Sequence, residues 1–157
     1  MKYMKYQQND AVNGEGVRCT LFVSGCSHAC VGCYNEASWN PKSGHEFTDD
    51  MVQQIVSDLK DTRIVRSGLS LSGGDPLHKR NYPEILELCK VVRKECPDKT
   101  IWMWMGYTID QIRDSGMCEI LNYLDVVIDG KFEQEKKDLN LRWCGSSNQV
   151  INVLTLE

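Results

Sequence analysis

The sequence predicts an α/β protein: an open, partial (β/α) barrel with mostly parallel strands, shorter than a full TIM barrel. Three observations carry this. Short apolar runs alternate with segments of helical periodicity, the pattern of βαβ units that lay parallel strands side by side. The 157 residues fall well short of the roughly 250 that a closed eight-stranded barrel usually takes. The residues with the most distinctive chemistry lie in segments that follow the strands, where ligands gather in such sheets.

The elements follow in order. Residues 18–25, RCTLFVSG, read as a buried strand with Leu21, Phe22 and Val23 as its apolar run. Thr48 reads as an N-cap, followed by Val52, Ile55, Val56 and Leu59 at helical spacing, with Asp49 and Asp50 in the first turn. Residues 68–76, GLSLSGGDP, form a strand running into a glycine turn. A helix from about Pro83 carries Ile85, Leu88, Cys89 and Val92 and stops near Pro97. Residues 100–107, TIWMWMGY, are the next strand, with Trp102 and Trp104 on one face and Met103 and Met105 on the other. A helix from about Thr108 carries Ile109 and Ile112 and is stopped by Gly116, with further helical turns over residues 117–123. LDVVIDG, residues 124–130, is a strand, and NQVINVLTL supplies a last one. No linker or repeat interrupts this order, so residues 1–157 read as a single domain.

Composition narrows the function. The net charge of −4 argues against a nucleic-acid protein held by a broad basic surface. The first ten residues, MKYMKYQQND, lack the apolar core of a signal peptide, and no apolar stretch approaches a membrane span. The chain therefore reads as cytoplasmic, with no membrane or nucleic-acid partner. Thiols stay reduced there, so clustered cysteines point to metal binding or redox chemistry.

Three of the eight cysteines, Cys26, Cys30 and Cys33, stand in C-x3-C-x2-C spacing directly after the first strand. A four-iron cluster normally takes four thiolates; three local ones leave one iron open to another ligand. Gly25 and Gly32 let such a loop turn. Zinc is the rival, because His28 completes a nominal Cys3His set, although structural zinc sites usually draw ligand pairs from separated segments. On this reading His28 is a bystander in the loop. The turn Gly73-Gly74-Asp75 exposes backbone to a ligand. Asp129 ends its strand as an acid placed to bond a ribose hydroxyl.

The cysteine motif, with Tyr34 beside Cys33, resembles that of the radical S-adenosylmethionine superfamily. The resemblance implies a 4Fe-4S cluster held by Cys26, Cys30 and Cys33, with S-adenosyl-L-methionine on the open iron. It implies that Gly73 and Gly74, with Asp75 in the acidic position of a GGE-like turn, hold the methionine amino end, and that Gly32 and Tyr34 pack the cofactor against the cluster. VNGEGVRCTLFVSGC, CYNEASW, LSLSGGDPL, IWMWMGY, VVIDGKF and GSSNQ together resemble, more narrowly, the activating proteins of anaerobic (class III) ribonucleotide reductase, over about residues 9–149. That family implies formation of a 5′-deoxyadenosyl radical and installation of a glycyl radical on the reductase catalytic subunit. It also implies an electron donor such as flavodoxin. The chain departs from the family pattern at Glu15, where proline is usual, at Met105, where threonine is, and at Cys144, where arginine is. The alternative is a radical S-adenosylmethionine enzyme acting on a small molecule, of the deazapurine-forming type.

Overall fold

The computed structural model describes residues 1–30, 32–33 and 36–154. Its elements run β1 (Lys2–Asp10), β2 (Arg18–Val23), β3 (His45–Glu46), α1 (Asp49–Lys60), β4 (Gly68–Gly73), α2 (Tyr82–Glu95), β5 (Thr100–Trp104), α3 (Ile109–Arg113), β6 (Val126–Asp129) and β7 (Val150–Val153). They build one seven-stranded sheet in the order β3-β1-β2-β4-β5-β6-β7. The centre, β2-β4-β5-β6, is parallel. Both flanks are antiparallel. The expectation of mostly parallel strands thus holds for the centre and is corrected at the flanks to a mixed sheet. The reason is the connections: residues 11–17 and 130–149 contain no crossover α-helix, and without one the chain returns antiparallel. The outer strands β3 and β7 do not pair with each other, so the sheet is open.

Strand parity divides the molecule into two faces. Cys19, Leu21, Val23, Leu69, Leu71, Ile101, Met103 and Val127 point to one face. There α1 and α2 cover them with Ile55, Leu59, Ile85, Leu88 and Val92. Thr48 caps α1, its Oγ1 accepting from Met51 N at 3.4 Å. Thr108 opens α3 with a capping box closed by Gln111. The polar β1 had no apolar signature, yet Tyr3 and Tyr6 pack on this core, and Tyr6 Oη donates to Asp58 Oδ2 at 2.6 Å.

The other face carries Arg18, Thr20, Ser70, Ser72, Trp102, Trp104, Val126 and Ile128. Trp102, Val126 and Ile128 form a second, smaller core with Trp104, Trp143 and Cys144. The segment after β6 crosses this face. Trp143 meets Trp102 edge-on at 4.6 Å, and its carbonyl accepts from Trp104 Nε1 at 2.7 Å. Arg18 is 1% exposed. Its guanidinium donates to Ser70 Oγ and to the carbonyls of Glu15, Leu69 and Thr100. Burial draws its pKa down to about 10, which leaves it charged at neutral pH.

Asp10, at the end of β1 and 5% exposed, holds the loop between β1 and β2. It accepts from Thr20 Oγ1 and Asn13 Nδ2, both at 2.7 Å, and from Val12 N at 2.9 Å. Burial pushes its carboxyl up, but the bonds from Thr20, Asn13 and the backbone outweigh it and hold the group below the ordinary range. A depressed folded pKa gives stability that is present above the unfolded value and is lost as pH falls through the folded one. Asp10→Asn is therefore expected to cost about 1–2 kcal/mol at pH 7 and progressively less against wild type as both are acidified below about pH 4. Urea unfolding at pH 7 and pH 3 checks this.

Candidate active site

The parallel strands β2 and β4 end side by side, with Val23 opposite Gly73. Gly74 N donates to Val23 O at 2.9 Å, and Asp75 N to Gly25 O at 2.7 Å. This approach requires glycine. Gly73 has φ +117°, and a Cβ there would stand 2.4 Å from both the N and the O of Val23. A Cβ on Gly74 would stand 2.6 Å from Gly25 O. Asn81, just before α2, donates from Nδ2 to Ser24 O at 2.7 Å and to Asp75 O at 3.0 Å, joining the same two strand ends. Gly25 N and Cys26 N donate to the carbonyls of Ser38 and Trp39, fixing the start of the cysteine loop.

The loop is anchored a second time at His28. Its Nε2 lies 2.5 Å from Asp75 Oδ2. A carboxylate only accepts, so the proton belongs to Nε2. The same Oδ2 accepts from Gly106 N at 3.0 Å, and Oδ1 accepts from Leu77 N at 2.9 Å. Tyr107 meets the imidazole edge-on at 4.6 Å, and its carbonyl accepts from Gly130 N at 2.9 Å. The segments after β2, β4, β5 and β6 are thereby tied together. The expectation that His28 is a bystander is corrected here: its side chain is 5% exposed and engaged in a buried pair.

These segments surround a cavity of about 330 Å³, at the small end of ligand sites. Cys26, Cys30, Cys33, Gly73, Gly74, Asp75, Gly106 and Gly130 line it, together with Asn13, Trp104, Phe132 and Trp143. All three thiols are half-buried. Burial pushes Cys26 up to about 11, opposed by the His28 backbone N–H and reinforced by Asp75, Cys30 and Cys33. Gly32, with φ +76°, packs against Gln134 rather than on the cavity wall. Tyr34 lies outside the described residues. Asp129 shares the helix face with Val127. Its Oδ2 accepts from Ile109 N at 2.8 Å, and Gly130 stands on the cavity in its place.

The three departures from the family pattern are also placed. Glu15 contributes its carbonyl to Arg18. Met105 is buried in the main core at 3% exposure. Cys144 lines the cavity, while the neighbouring Arg142 lies over the Trp143 ring at 4.0 Å. Sequence reasoning missed Asn81, Asn13 and Trp143. A signal for His28 existed: a histidine after one strand and an acid after its parallel neighbour end at the same edge of a sheet.

Among the described residues no three His, Cys, Asp or Glu side chains are drawn to metal-binding distance. The donor set nonetheless fits an iron–sulfur cluster. Three soft thiols line one cavity, and burial, with Asp75, Cys30 and Cys33, disfavours ionising Cys26, a penalty that a cationic iron centre relieves.

Fold and site thus describe an iron–sulfur protein whose cysteine loop follows a parallel strand, and residues 12–152 match the family model described as a 4Fe-4S single cluster domain. The chain is 55% identical to the anaerobic ribonucleoside-triphosphate reductase-activating protein of Vibrio cholerae, over 99% of this chain and 100% of the relative. It is 57% identical to that of Pasteurella multocida, over 96% of both, and 53% identical to that of Escherichia coli K12, over 98% and 99%. It belongs to the family of anaerobic ribonucleoside-triphosphate reductase-activating proteins. No helix among the described residues is long and apolar enough to cross a membrane.

The glycine turn yields a stability prediction. Gly73→Ala must strain a positive φ and displace Val23 backbone, so it is expected to destabilise by at least about 2–3 kcal/mol. Ser72→Ala, one residue away, is expected to cost under about 1 kcal/mol. Urea denaturation of both variants checks the contrast.

Proposed function

We propose that this chain activates an anaerobic ribonucleotide reductase by radical S-adenosylmethionine chemistry. The observation that carries the reading is that the thiols of Cys26, Cys30 and Cys33 line the same cavity as the Gly73-Gly74 turn. Cys26, Cys30 and Cys33 would hold the cluster, which when bound would supply the electron for reductive cleavage of S-adenosylmethionine and so the oxidising radical for abstraction of a glycine Cα hydrogen from the reductase. The main chain at Gly73 and Gly74 receives the polar methionine end. Trp104, Phe132 and Trp143 supply the apolar wall that keeps water from a radical.

The electron comes from an external one-electron donor such as flavodoxin, and the reaction belongs in a reducing cytoplasm where the thiols stay available. An open sheet suits access by a protein substrate better than a closed small-molecule pocket would.

Anaerobic reconstitution is expected to give about four irons per chain and S-adenosylmethionine cleavage on reduction. Cys30→Ala is expected to abolish cleavage. Mixing the reconstituted protein with an anaerobic reductase should produce a glycyl radical by electron paramagnetic resonance. Cleavage without that radical would favour a small-molecule substrate. Stoichiometric zinc without cleavage would overturn the reading altogether.

A further inference from the structure

We propose that His28 is a positioning residue for the cysteine loop. Its imidazole, bonded to Asp75 and seated in the space left by Gly106, sets the placement of Cys26 and Cys30 relative to the glycine turn. This rests on the reading above that these cysteines hold the cluster.

The argument begins with the chain path. His28 stands midway between Cys26 and Cys30. Its neighbours Ser27 and Ala29 are exposed, while its own ring is buried. Ala29 adopts φ +49°, a left-handed conformation that an L-residue takes only at a cost and only where its surroundings impose it. Between Cys26 and Cys30 the loop therefore turns the His28 side chain toward the sheet and directs the two cysteines from either side of that anchor. A ligand loop without an interior anchor would take its shape from the metal alone.

The receiving side is built to match. Asp75 is 1% exposed and accepts from His28 Nε2, Gly106 N and Leu77 N. The three atoms nearest a Cβ at Gly106 would all belong to the His28 ring. A Cβ at that position would stand 2.3 Å from His28 Cδ2 and 2.5 Å from Nε2. Tyr107 closes the remaining side of the ring. The imidazole is thus held on three sides by residues of the β4 and β5 ends, the former of which also carries the glycine turn.

The test uses the full chain, reconstituted anaerobically, with His28→Ala, His28→Gln and Gly106→Ala. Glutamine can donate to Asp75 from a similar reach, so it is the conservative rescue. Wild type and all variants keep the three cysteines and are expected to assemble a cluster. His28→Ala is expected to lose iron to a ferrous chelator at least tenfold faster than wild type. Its reduced cluster should give a broadened electron paramagnetic resonance signal that S-adenosylmethionine no longer sharpens. His28→Gln should return both readouts to within about threefold of wild type. Gly106→Ala should reproduce the His28→Ala defect and add nothing in the His28→Ala background, as expected of two residues acting through one contact. Circular dichroism of the cluster-free proteins separates a loop defect from unfolding. If His28→Ala unfolds, His28→Gln and Gly106→Ala carry the comparison. Chelation and spectrum of a folded His28→Ala within twofold of wild type, or additive effects of Gly106→Ala, would overturn the proposal. Failure of wild type itself to assemble a cluster would instead overturn the reading beneath it.

Discussion

The Asp75 carboxylate joins the parts of this site that come from distant stretches of chain. It accepts from the loop after β2 through His28, from the loop after β5 through Gly106, and from its own turn through Leu77. A buried carboxylate is costly unless its lone pairs are filled. Here they are filled by residues up to 47 positions away from it in sequence. Removing one partner of such a buried hydrogen bond costs about 1–3 kcal/mol, whereas replacing both partners by apolar groups of the same shape is often nearly neutral. Stability alone therefore does not require the pair. The geometry it enforces on the cysteine loop gives a reason for it.

Around that carboxylate the division of labour follows strand parity. The helix face of the sheet is apolar and stays closed. The opposite face carries Ser70, Ser72, Trp102 and Trp104, beneath a segment that brings Trp143 and Cys144 to the cavity. The cavity lining therefore mixes thiols and glycine backbone with aromatic side chains.

Much of the fold was legible because its signals are local. The runs read as strands at residues 18–25, 68–76, 100–107 and 124–130 contain the strands at 18–23, 68–73, 100–104 and 126–129, and Thr48 caps the helix it precedes. The alternation of tryptophan and methionine in β5 placed Met103 in the main core and Trp102 in the smaller one. The strand β1 was not legible. Its residues are polar, and it is held by pairing with β2 and by Tyr6 on Asp58, contacts that no local pattern announces. The antiparallel flanks were missed for the same reason: pairing direction depends on how the chain returns, not on strand composition.

For the site itself, the sequence by itself determined the candidate ligands and the kind of turn. Three cysteines at fixed spacing and a Gly-Gly pair are chemical statements, and they hold wherever the chain places them. Only the tertiary structure decided who serves whom. Cys26, Cys30, Cys33 and the Gly73-Gly74 turn meet on one cavity because parallel strands end on the same side. Gly73 and Gly74 also admit the backbone of Val23 and Gly25, so their missing side chains serve strand packing as well as any ligand. Asp129 falls on the helix face by parity and caps the start of α3 at Ile109. His28 passes from bystander to anchor because Asp75 and Gly106, far away in sequence, leave a place of its size and polarity. Spacing along a chain states which atoms are available; the distances across it decide which of them meet.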